Sequence, residues 1–216
     1  MIIEPGIMIA HGAREFKIIR HIGKGKGGNS WLAEYGARQV VFKEMHYEPC
    51  NTYAFQRNKL DSELCDYARL KSVGIAMPGL ICHDDARQFL VKEYVDGKTV
   101  AELVAAGLLE DDIVRQMFTM CEALYAANLN IDYFPTNFVV EGGRLYYIDY
   151  ECNVYMQEWD FESWGIWFWA NTAGMARFLE TGDHAYLSVN AKPHKMGLAE
   201  IVAGYLSLKE EDSDVL

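Results

Sequence analysis

The chain has 216 residues, 50% hydrophobic, 24% charged and 13% aromatic, which is enough apolar material for one core or two apposed lobes and excludes a disordered chain. Its longest apolar run, Trp164 to Ala170, is far short of the roughly 20 residues that span a bilayer, and no basic-then-apolar leader opens the chain, so the expectation is a soluble, unexported protein without a membrane partner, and the cysteine pattern adds the expectation of a reducing, cytoplasmic setting. Cys50, Cys65, Cys82, Cys121 and Cys152 are scattered singly with no C-x-x-C pair, which supports neither a disulfide framework nor a zinc knuckle.

The net charge of −11 is unevenly divided: residues 1–95 hold 13 Lys and Arg against 11 Asp and Glu, whereas residues 96–216 hold 7 against 20. An acidic second half does not suit a nucleic-acid backbone. It reads either as a solubilising surface or as one that attracts a cationic substrate.

In chain order, Phe16–Ile22, Ser30–Tyr35 and Gln39–Met45 are predicted strands, broken by the glycine cluster 23–28 and by Gly36. From about Thr52 to Ser72 the chain lacks Gly and Pro and places Leu60, Leu64 and Tyr67 at helical spacing, with Gly74 and Pro78 ending that helix before two more strand-like runs. Thr99 with Glu102 forms a capping-box pattern for a short helix, and Ile113, Met117, Met120 and Leu124 mark a longer one. Phe138–Val140 and Leu145–Ile148 flank a predicted four-residue hairpin loop, residues 141–144, and Trp164–Trp169 reads as a helix buried on all sides. Residues 209–216 read as a frayed acidic tail.

Several positions carry chemistry. Gly23, Gly25 and Gly28 form a G-x-G-x-x-G between two strands, where absent side chains let backbone N–H groups approach phosphates; a strand rather than a helix follows, which argues against a dinucleotide fold. Val41, Lys43 and Met45 share one strand face, and Glu63 falls on the apolar face of the predicted helix, so each charge needs a partner and the economical solution is that they pair. Pairing Val140 with Leu145 sets Asn137 opposite Ile148, with Asp149 next, an amide oxygen and a carboxylate suited to a hard cation such as magnesium. Asp132 stands five residues before Asn137, where its carboxylate could orient a hydroxyl. No histidine has H-x-x-x-H spacing, and no zinc site is expected.

Glycine loop, strand Lys, helix Glu, Asp-x-x-x-x-Asn and a hairpin Asp follow one another in the order of the protein-kinase-like phosphotransferases, which this sequence resembles over residues 16–170. Val40-Val41-Phe42-Lys43 is similar to the V-A-I-K strand, Lys92–Gly97 to the hinge, residues 130–137 to the catalytic loop, Ile148–Glu151 to the D-F-G segment, and Asp160–Gly165 to D-x-W-S-x-G. The resemblance implies an α+β, two-lobed fold: residues 1–95 an antiparallel sheet (five strands, mixed) with one helix, and residues 96–216 a short, mainly helical lobe. It also implies roles: the three glycines over the phosphates of ATP, Lys43 held by Glu63 on the α- and β-phosphates, Glu93 to Val95 contacting adenine through the backbone, Asp132 catalytic, and Asn137 with Asp149 ligating Mg²⁺.

Asn130, Phe134, Ser30 and Glu151 depart from the usual His, Lys, Val and Gly, and Asp149 and Asp160 are only 11 positions apart, too close for a long activation segment. In this economy the chain is similar to RIO-type kinases, the small kinase of the tRNA-threonylcarbamoylation complex and the aminoglycoside phosphotransferases, and Glu151 resembles choline-kinase-like enzymes. The expected function is a compact protein Ser/Thr kinase; the alternatives are a kinase for a cationic small-molecule alcohol and a nucleotide-binding pseudokinase.

Overall fold

The computed structural model describes residues 3–25, 27–47, 58–188 and 192–213. It divides into two units, Met1–Tyr67 with Pro78–Tyr94, and Ala68–Met77 with Val95–Leu216. Relative to a boundary at residue 95, the stretch 68–77 counts with the second unit, whose core includes Leu70 and Ile75.

The first unit is built on strands β1 (Met8–His11), β2 (Arg14–Lys24), β3 (Gly28–Tyr35) and β4 (Arg38–Met45), helix α1 (Lys59–Ser72), and strands β5 (Leu80–Asp84) and β6 (Phe89–Glu93). The strands form one sheet in the order β1-β2-β3-β4-β6-β5, with every pair antiparallel. A mixed five-stranded sheet is therefore corrected to an antiparallel six-stranded one. The extra strand, β1, is four residues long, too short for its alternation to stand out, and it folds back at Gly12, whose φ is +59°. Alternation buries Phe16, Ile18, Ala33, Val40, Phe42, Phe89 and Val91 in one cluster. The register Val41↔Lys92, Lys43↔Leu90, Leu32↔Val41 and Ser30↔Lys43 sets those residues on the other face.

The sheet's two edge strands are joined at one corner. His11 Nδ1 lies 3.2 Å from Asp84 Oδ2, and Arg87 Nη1 donates to Ala10 O at 2.8 Å. Helix α1 is described from Lys59; the predicted turns from Thr52 to Arg57 lie outside the described residues. Its end is set by Gly74, at φ +79°, and Ile75 N–H closes back on Leu70 O at 3.2 Å.

In the second unit, β7 (Lys98–Thr99) leads into α2 (Val100–Ala105), which starts with the complete Thr99–Glu102 capping box. Helix α3 (Asp111–Ala126) buries Ile113, Met117, Met120 and Leu124, and β8 (Leu129–Ile131), β9 (Phe138–Glu141), β10 (Arg144–Tyr147) and β11 (Cys152–Val154) follow. They form two small antiparallel sheets, β10-β9-β7 and β11-β8. Glu141 pairs with Arg144, so the hairpin loop is the two residues Gly142 and Gly143 and not four. Both have positive φ (+58° and +78°), the backbone a tight hairpin requires and glycine adopts without strain.

The remaining elements are α4 (Ile166–Trp169), α5 (Thr172–Thr181) and α6 (Lys192–Ser213). The tryptophan-rich segment is not buried all round: Trp164 and Trp167 are half-buried, and Phe161–Gly165 is a π-helical turn that continues into α4. Nor is the acidic tail frayed over its described part. It is the last turn of α6, where Arg115 meets Glu211 at 3.3 Å and Asp212 at 3.6 Å.

Candidate functional site

In the first unit, strand alternation places the Lys43 ammonium on the same face as Val41, Met45 and Leu90, and the Glu63 carboxylate comes from α1. Lys43 Nζ donates to Glu63 Oε1 at 2.8 Å, with the two side chains only 12% and 8% exposed. Beside this pair runs the glycine loop: a Cβ built on Gly27 would lie 3.7 Å from Lys43 Nζ and 3.8 Å from Glu63 Oε2.

The glycines of the loop answer to different demands. A Cβ on Gly28 would fall 2.3 Å from Glu44 O, so the pairing of β3 with β4 itself forbids a side chain there. At Gly23 and Gly25 a Cβ would meet nothing within 4 Å. The fold therefore requires glycine at 28, and leaves open space above 23 and 25. Gly25 N–H donates to Gly28 O at 2.9 Å across the hairpin, and Gly25 O accepts from His46 Nε2 at 2.9 Å.

Glu93 ends β6, three register steps along from the pair of Lys43 with Leu90. Its N–H donates to Gly79 O at 2.9 Å and its carboxylate accepts from Gly79 N at 2.8 Å. Its side chain is thus spent on closing β5 against β6. Val95 is the first residue of the second unit's main stretch.

In the second unit, Asp132, Asn137 and Asp149 are gathered by short-range backbone bonds. Asn137 Nδ2 donates to Asp132 O at 3.2 Å, closing the loop between them, and Ile148 N–H donates to Asn137 O at 2.9 Å, which sets Asp149 directly after the Asn137 partner. Asp132 Oδ1 accepts from Phe134 N at 3.0 Å, and Asp149 Oδ1 from Tyr150 N at 3.0 Å. With its nitrogen engaged, Asn137 keeps the amide oxygen, the atom that can ligate a cation. Among the described residues no group of three His, Cys, Asp or Glu forms a metal cage. One carboxylate and one amide oxygen fit magnesium, which keeps waters and takes substrate phosphates as its other ligands.

Three further residues hold this constellation, and one of them, Tyr147, lies in no motif. Tyr147 is fully buried and donates its hydroxyl to Glu151 O at 2.9 Å. Burial, reinforced by the charges of Asp149, Asp132 and Glu151, holds that hydroxyl protonated far above its ordinary range. Asn130, 4% exposed, donates to Trp159 O at 2.9 Å and so ties β8 to the segment after the hairpin. Asp160 caps the π-helical turn, accepting from Ser163 N at 2.7 Å and from Tyr155 Oη at 3.0 Å. Beneath the 130–137 loop, Trp169 Nε1 donates to Tyr133 O at 2.9 Å, and a Cβ on Gly165 would fall 2.5 Å from Tyr133 Cβ. Only glycine lets the helical segment approach so closely.

No protein family profile matches the chain, and no curated protein matches it. Among solved structures the chain is similar to the BubR1 kinase domain, with a TM-score of 0.48 and 16% identity over 68% of this chain and 49% of that one. It spans about half the length of that solved chain.

Proposed function

We propose that the chain is a phosphotransferase that moves the γ-phosphoryl group of Mg-ATP to a hydroxyl, with a protein Ser or Thr as acceptor. The observation that carries this reading is the buried Lys43–Glu63 pair, 2.8 Å apart, with Gly27 packed beside it. A desolvated ammonium paired with a carboxylate next to a glycine hairpin is equipped to take phosphate oxygens. The open space over Gly23 and Gly25 among the described residues accords with backbone N–H groups approaching a ligand.

In this reading the first unit binds: Lys43 would contact the α- and β-phosphates, Glu63 would keep its ammonium aimed, and the backbone from Glu93 to Val95 would contact the base. The second unit would supply Asp132, whose carboxylate orients the acceptor hydroxyl, and Asn137 and Asp149 as the magnesium ligands. Magnesium, when bound, neutralises charge on the phosphate oxygens. A bond forms between the acceptor oxygen and the γ-phosphorus while the bond from that phosphorus to the β–γ bridging oxygen breaks. ADP leaves and the hydroxyl proton passes to Asp132. Positioning and charge neutralisation, not a covalent enzyme intermediate, would supply the rate.

The protein acceptor is favoured by Val154, Met156 and Trp159, which are 61%, 47% and 51% exposed just after the Asp149 segment. Such an apolar surface suits a polypeptide better than a small polar alcohol. Between Arg144 and Arg177 the chain has five acidic residues and no Lys or Arg, which suits a basic one. The same acidity favours a second reading, a kinase for a cationic alcohol. Purified protein with Mg-ATP is expected to label itself or a basic protein with phosphate, and Asp132→Ala to lose at least a hundredfold of that rate. ATP consumption that begins only when an amino alcohol is added would overturn the protein acceptor in favour of the second reading.

A further inference from the structure

His46, just past the end of β4, takes no part in the chemistry proposed above, yet it meets the glycine loop. Its Nε2 lies 2.9 Å from Gly25 O. A carbonyl only accepts, so Nε2 carries the proton. The residue is itself fixed from both sides: Met45 N–H donates to Gln88 O at 2.9 Å, and the His46 carbonyl accepts from Lys59 Nζ at 2.5 Å. Lys59 is 6% exposed and stands one helical turn before Glu63 on α1. Four residues apart, the two share a helix face. One stripe of α1 therefore reaches the glycine loop twice, through Lys59 and His46 to Gly25, and through Glu63 to the Lys43 ammonium beside Gly27.

We infer that His46 is a positioning residue, a strap that orders the glycine loop before nucleotide arrives. The inference rests on the nucleotide-binding reading of that loop and deepens it. A loop with glycine at 25 and 27 has more backbone freedom to lose on binding than one built of other residues. Fixing the Gly25 carbonyl fixes the plane of its peptide unit, so part of that ordering is complete in the free protein and the ligand does not bear it. The hydroxyl, phosphoryl and proton steps are unaffected. The strap acts on affinity.

The test compares the full chain with His46→Ala and with His46→Gln, whose side-chain nitrogen can replace Nε2 as donor. Two quantities are read: backbone order parameters of the Gly23, Gly25, Gly27 and Gly28 amides by ¹⁵N relaxation without ligand, and the dissociation constant of Mg-ATP. His46→Ala is expected to lower the order of the loop amides selectively, lower the melting temperature by no more than about 5 °C, and weaken ATP roughly five- to tenfold, the range of one lost hydrogen bond. His46→Gln is expected to restore both to within about twofold. Loop order unchanged in His46→Ala would overturn the strap, as would order that falls while ATP affinity does not. An unmodified protein that binds no nucleotide, with the loop order still responding to His46→Ala, would instead overturn the nucleotide reading and the functional half of the inference with it.

Discussion

Lys43 and Glu63 bury an ion pair in which neither side chain is more than 12% exposed. Desolvating two charges costs several kcal/mol, and removing one partner leaves that cost standing without its compensation. Glu63→Ala is expected to lower the unfolding free energy by roughly 3 kcal/mol in a urea titration. The paired change Lys43→Met with Glu63→Leu is expected to recover most of that loss while abolishing ATP binding. A Glu63→Ala protein as stable as the parent would contradict the burial of the pair. The pairing was legible because a lysine on an apolar strand face and a glutamate on an apolar helix face each demand an opposite charge. Tyr147 and Asn130 were not legible in the same way. Their hydrogen bonds run to carbonyls of Glu151 and Trp159, and no periodicity or charge pattern encodes a bond to a backbone carbonyl.

Asp84 makes the stability of the folded chain depend on pH. The Arg87 backbone N–H at 2.9 Å and the Arg87 guanidinium at 2.8 Å, with His11 at 3.2 Å, hold its carboxyl down at about 2 from an ordinary 3.8. A carboxyl with a lower pKa in the folded chain stabilises it fully above the unfolded value, and that contribution is lost as pH falls from about 4 to about 2. Asp84→Asn is therefore expected to melt below the parent at pH 6, with the gap closing as the pH approaches 2. An equal gap at both pH values would show that the carboxylate charge is not what joins the edges of the sheet.

Among elements, the decisive contacts are close approaches that only glycine permits. Gly165 lies where a Cβ would be 2.5 Å from Tyr133 Cβ and 2.8 Å from a Phe161 ring carbon. Gly165→Ala must push the helical segment away from the 130–137 loop, at a cost of about 1–3 kcal/mol for overpacking a tight interior. Its signature is a lower midpoint in chemical denaturation; an unchanged midpoint would mean that the loop can shift freely. The motif that includes Gly165 was readable in the sequence, but the physical reason for the glycine was not, because it depends on a neighbour 32 positions away in the chain. The hairpin shows the reverse case. Its existence and its Val140–Leu145 register followed from alternation, whereas the loop length depended on whether Glu141 and Arg144 paired, which two consecutive glycines with positive φ allow. Strand β1 and the π-helical turn escaped for want of length: four and five residues carry too little pattern to distinguish one period from another.

At the scale of the whole molecule, each unit carries its own part of the proposed chemistry. The first, near neutral in its Lys, Arg, Asp and Glu content, holds the glycine hairpin and the Lys43–Glu63 pair; the second, strongly acidic, holds Asp132, Asn137 and Asp149. The order of these residues along the chain was legible because each sits at a strand end, a hairpin or a helix face that local pattern defines. The acceptor was not, because no residue pattern in the sequence specifies the shape of what must dock. Whether Asp149 and its neighbours bind a magnesium–nucleotide complex is decided by the melting temperature of the parent and of Asp149→Asn with ATP, with and without Mg²⁺. Mass action stabilises the folded state by about 2.7 kcal/mol at a hundredfold excess over the dissociation constant, which predicts a magnesium-dependent rise of roughly 5–10 °C in the parent and its loss in the variant. No rise in the parent at saturating ATP, or an equal rise in Asp149→Asn, would contradict that binding.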